Sequence, residues 1–139
     1  MLNSMLAVAA SRIIVDARTN QVSIIDVFEG LKAQSFPIVI PNMMFLFQLR
    51  RDIDDESENK LSIQCLIDNQ EIIKASVNID FNEGKTTRTI IGFDGFVIPS
   101  AGELTIKLMK NESELGKLVF PIGQLDVPPP QVHQANDNQ

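Results

Sequence analysis

The feature that most limits what this chain can fold into is a period of two. Leu61, Ile63, Cys65 and Ile67 alternate with Ser62 and Gln64; Ile73, Ala75, Val77, Ile79 and Phe81 alternate with Lys74, Ser76, Asn78 and Asp80; Leu104, Ile106 and Leu108 alternate with Thr105 and Lys107. Successive side chains of a strand leave on opposite faces. Each apolar row therefore points to a core, and each polar row to water, as in an antiparallel sheet with one wet face. Ile occurs 17 times and Val 10 times. Two heavy atoms on Cβ stiffen χ1 and suit a pleated surface better than a helix.

No run carries a helical apolar period. Five further segments, roughly Leu6 to Ala17, Gln21 to Phe28, Ile38 to Arg50, Thr86 to Ile98 and Lys117 to Ile122, are apolar on both faces and complete a set of about eight strands. Gly, Pro, Asn and Asp punctuate them at Arg18 to Asn20, Phe36-Pro37, Pro41-Asn42, Asp68-Asn69, Asn82 to Gly84, Pro99 to Gly102 and Lys110 to Glu112. A turn about every ten residues predicts one antiparallel β-sandwich, C2-like or Ig-like. Residues 1–125 form that domain. Residues 126–139 hold three consecutive prolines and then polar residues, the composition of a flexible tail.

Charge and residue types narrow the function classes. The net charge is −6, with basic residues scattered, whereas a nucleic-acid surface needs Lys and Arg clustered on one face. The longest apolar stretch, Ile38 to Leu49, is broken by Pro41 and Asn42 and is too short to cross a bilayer, which takes about 20 residues. Cys65 stands alone, so neither an intrachain disulfide nor a cysteine-based zinc site can form, and a cytoplasmic location is expected.

As an order of motifs, Asp16 to Glu29, Phe36-Pro37, the strand from Met43 to Leu49, Gly102 to Leu108 and Leu115 to Pro121 resemble a family of short, uncharacterised bacterial β-sandwich proteins. The resemblance spans most of residues 5–125. It implies a single sandwich closed by a final hairpin, in which Leu104 stands where the family has an aromatic residue. It implies no activity.

Chemistry has few places to sit. Arg50 to Lys60 puts five carboxylates into seven residues, and alternate acids at Asp52, Asp54, Glu56 and Glu58 could converge on Ca²⁺, which takes about six to eight oxygen ligands. The spacing fails the EF-hand template, with Ser57 at position six and Ile63 at position twelve, so a second acidic loop at Asp94-Gly95 would have to help. The alternative is a solvated loop that discourages edge pairing. Asp16 and Asp26 could act as acid and base if the fold joined them. His133 falls in the tail, Cys65 reads as a small buried hydrophobe, and Gly84-Lys-Thr lacks the other half of a phosphate-binding loop and reads as a turn with Gly84 at positive φ.

Contact with other proteins is the remaining class. Phe36 to Phe47 carries more apolar side chains than one strand face can bury, so either the fold covers both faces or Met43, Met44, Phe45 and Phe47 meet a partner. The expected function is a non-enzymatic module binding another protein, with homodimerisation through a sheet edge open to it and no cofactor. The alternatives are a C2-like Ca²⁺ or membrane-surface module using residues 52–58, and a small carboxylate hydrolase.

Overall fold

The computed structural model describes residues 1–126. The three consecutive prolines, Pro128 to Pro130, and His133 lie outside them, as does all but the first residue of the expected tail. Nine strands form: β1 (Asn3–Val15), β2 (Val22–Val27), β3 (Leu31–Ala33), β4 (Ile38–Arg50), β5 (Glu58–Ile67), β6 (Gln70–Asp80), β7 (Thr86–Ile98), β8 (Gly102–Lys110) and β9 (Ser113–Gln124). A four-stranded sheet runs β2-β1-β4-β7 and a five-stranded sheet β3-β9-β8-β5-β6. The expected sandwich is present, with one strand more than the eight read from the sequence. That strand, β3, is three residues long and lies parallel to β9, Leu31 opposite Ile122; every other pairing is antiparallel.

The alternating rows supply the core. Leu61, Ile63, Cys65 and Ile67 of β5 and Leu104, Ile106 and Leu108 of β8 are all buried, facing Met43, Phe45, Phe47 and Leu49 of β4. The row on β6 is less covered, as its edge position implies: Ile79 and, just past the strand, Phe81 are buried, while Ile73, Ala75 and Val77 are half-buried. Phe45, Phe93 and Phe96 meet edge to face with centroids 5.7–5.9 Å apart, the geometry that sets the positive edge of one ring against the negative face of the next.

Pro41-Asn42, read as a turn, lies inside β4. Core side chains on β4 run Ile38, Ile40, then Met43 and Phe45; on β7 they run Ile91, Phe93, then Phe96 and Ile98. Both strands change face at the same level, where the register sets Pro41 opposite Gly95 at φ +72°. Pairing continues across the switch because both strands are displaced together. The Asp68-Asn69 turn has both residues at positive φ, 45° and 69°, the requirement of a two-residue type I′ hairpin. In the β6–β7 turn positive φ falls on Asn82 and Glu83, not on Gly84.

Candidate functional site

Two regions of the surface carry the residues singled out above. The first is the acidic end of the sandwich, where the β4–β5 loop meets the β6–β7 turn. Its organiser is Arg51, 5% exposed in a run of acids. Arg51 Nε donates to Gly84 O at 2.7 Å and Nη1 to Asp55 O at 2.6 Å, and its guanidinium carbon sits 5.3 Å from the centroid of the Phe81 ring. Backbone bonds from Arg51 N to Lys85 O and from Phe81 N to Ser57 O, each 2.9 Å, complete the clamp. Loop and turn are thus one unit.

The four expected Ca²⁺ ligands do not converge as a set within that unit: Asp54 is exposed in the loop, and Asp52 is parted from Glu56 and Glu58. Asp52 accepts from the ammonium of Met1, which lies 2.8 Å from Asp55; Glu56 and Glu58 border a hollow with Asp80 and Glu83, of which Asp52 is no part. The ammonium, followed by the Asp52 amide, holds the Asp55 carboxyl below its usual range. Among the described residues no three Asp, Glu, His or Cys side chains are grouped to hold a metal ion. Asp94, the expected second acidic contribution, sits in β7 opposite Asn42, eight residues along from the end of the strand nearest this loop.

The second region is the β1–β2 hairpin. Up to Ala10, β1 pairs with β4; beyond Ser11 it pairs only with β2, and Asp26, opposite that point, has φ +57°. There the hairpin leaves the sheet and folds back over its outer face. The Ile13 N–H donates to Met44 Sδ at 3.3 Å, and Ile13 and Val22 pack on Met44, Leu46 and Ile90 in a second, smaller apolar cluster. At the tip, Arg88 Nη2 of β7 donates to Asn20 O at 2.7 Å and to Asn20 Oδ1 at 2.6 Å. In a flat sheet two strands would separate β2 from β7, and these contacts could not form.

The inter-sheet core takes one face of the apolar surplus on β4, and the folded-back hairpin covers part of the other. Met43, Phe45 and Phe47, expected as contact residues, are at most 1% exposed in the core and are unavailable to a partner. Met44 points the other way and is half-buried beneath the hairpin. What the molecule exposes instead is the hairpin itself. Cross-strand pairing puts Ile14 and Ile25 on the face turned away from the sheet, 44% and 41% exposed, while Val15 and Ile24 border the face turned toward it. Val27, at the hinge, is 56% exposed. The sequence marked this segment as apolar on both faces, which was its only signal.

The remaining candidates are not gathered into a site. Asp16 Oδ1 accepts the amides of Arg18 at 2.8 Å and Thr19 at 3.2 Å, closing the hairpin turn, and those bonds hold its carboxyl below the usual range. Asp26 accepts from Ser11 Oγ at 3.2 Å. Five residue levels separate them along the hairpin, about 16 Å at the rise of a strand, too far for shared acid and base work. Cys65 is fully buried, and desolvation pushes its thiol up to about 12.

Fold and surface together define an all-β, two-sheet sandwich with an apolar hairpin folded over one face. The chain belongs to a family of unknown function, DUF6941, whose model matches residues 6–123. Among solved structures, it is similar to an immunoglobulin-like protein from Pseudomonas aeruginosa, 12% identical, with 88% of this chain and 96% of that one covered and a TM-score of 0.44. No curated protein matches it. Among the described residues, no helix is long and apolar enough to cross a membrane.

Proposed function

We propose that the protein is a non-enzymatic interaction module that contacts another protein through the β1–β2 hairpin. One observation carries this reading: a two-stranded ribbon exposes aliphatic side chains on both of its faces, Ile14 and Ile25 above, Val15 and Ile24 at the rim below. A strand that merely borders solvent alternates apolar with polar, and contiguous exposed apolar surface marks contact sites. Anchoring by the small cluster and by Asn20 presents that surface in a fixed orientation, which lowers the entropy lost on binding. The non-enzymatic part of the reading is supported by the separation of Asp16 from Asp26 and the burial of Cys65, and the lone thiol fits a cytoplasmic setting.

Affinity capture from the source lysate tests it, with native protein beside the double variant Ile14→Lys, Ile25→Lys. Both side chains point away from the sheet, so the variant keeps its melting temperature. A specific protein recovered by the native chain and lost by the variant is expected. Equal recovery by both would place the contact elsewhere.

A further inference from the structure

Beside the hairpin tip lies a crevice of about 500 Å³, bordered by the aliphatic side chains of Leu6, Val22, Ile24 and Leu46 and by polar ones, Gln21, Ser23, Gln48 and Arg88 among them. A polar hollow adjoins it at Arg88, with Thr86 and Thr87 on its far wall. The chain holds 18 acidic residues, yet no Asp or Glu lines either space. Arg88 is in none of the ion pairs among the described residues. Its Nη2 is fixed by the two oxygens of Asn20, a residue held at φ +62°, which orients the guanidinium and leaves Nε and Nη1 to other acceptors.

An oriented arginine without a carboxylate, beside the aliphatic side chains of a crevice of mixed polarity, is complementary to a group that joins an aliphatic side chain to a carboxylate on adjacent atoms. We propose that the crevice takes the carboxyl terminus of a partner protein ending in an aliphatic residue. The side chain would enter between Leu6, Ile24 and Leu46, and the terminal carboxylate would accept from Arg88. The assignment rests on the reading of the hairpin as a protein-contact element, which makes a polypeptide the source of the carboxylate.

The chain has no Trp or Tyr, so amide NMR titration is the suitable readout. The probes are N-acetyl-Val-Leu as the free acid, the same dipeptide as its C-terminal amide, and octanoate. The free acid is expected to shift the amides of Leu6, Ile24, Gln48 and Arg88 and to bind about tenfold or more tightly than the amide, the usual weight of a charge-assisted hydrogen bond. Arg88→Gln should remove that preference and leave amide binding as it was. Should Arg88→Gln lose the dispersed spectrum of the folded protein, Arg88→Lys, which keeps the charge without the fork, should give an intermediate preference.

Equal binding of acid and amide, shifts confined to another face, or no shift at all would overturn the proposal. Tighter binding of octanoate than of the dipeptide acid would overturn the polypeptide assignment in favour of a small aliphatic acid. If capture is lost in Ile14→Lys, Ile25→Lys but untouched by Arg88→Gln, the hairpin reading stands and the crevice proposal falls.

Discussion

Arg51 and the acids around it show how differently one residue run can be used from what its composition suggests. Five carboxylates between two strands invite a cation, and the fold supplies a side chain: Arg51 turns inward and binds backbone carbonyls on both loops, with the Phe81 ring over its guanidinium. Replacing Arg51 with Met leaves the Gly84 and Asp55 carbonyls without that donor. The expected cost is about 2–4 kcal/mol, read from urea unfolding followed by circular dichroism, since bonds to a charged group contribute about 1.5–3 kcal/mol each and packing against Phe81 is partly kept. Asp16 makes the complementary prediction in pH. Its folded-state carboxyl is held down by the Arg18 and Thr19 amides, so its stabilisation is complete above the ordinary carboxylate range and is lost as pH falls below about 4. Asp16→Asn keeps an acceptor oxygen and removes the titration; its acid-unfolding curve should be shallower than that of the native chain, and an unchanged curve would show the Asx turn to be irrelevant to acid stability. Neither role was legible beforehand, because each depends on which backbone groups a loop brings close.

At the scale of elements, legibility followed local chemistry. The Asp68-Asn69 turn and the rows on β5 and β8 were readable because positive φ and burial act on the residues themselves. Pro41-Asn42 carries the same turn chemistry, yet the chain runs straight through it as a change of face, since Gly95 on the neighbouring strand accommodates the step. Gly95→Ala should therefore cost about 1–2 kcal/mol of unfolding free energy, the penalty of placing a Cβ in the left-handed region, although its nearest side-chain neighbour at Val39 leaves room. The strand β3 shows no period in its three residues, and its pairing comes from a partner 91 positions away. The hairpin depends on a cluster of only three buried residues, Ala10, Ile13 and Leu46. Leu46→Ala should free it locally: hydrogen exchange at residues 12–25 should accelerate, while the amides of β5 and β8 stay protected. Uniform acceleration would mean that hairpin and core unfold as one unit.

For the molecule as a whole, the sandwich could be read from the alternating rows because apolar surface must be buried whatever the topology. The proposed contact surface could not, because the same pattern on β1, β2 and β4 admits a flat sheet with a greasy outer face or a hairpin folded onto it. Contacts between residues distant in sequence, Ile13 with Met44 and Asn20 with Arg88, select the second. With Met43, Phe45 and Phe47 in the core, the proposed contact moves from β4 to the hairpin. The most direct measurement is photo-crosslinking in the source cells with a photoreactive residue at position 25, and with a control at Val119, which is comparably exposed on the other sheet. The account predicts a discrete adduct of higher mass from position 25 and none from position 119. An adduct from position 119 alone, or from neither, would contradict it.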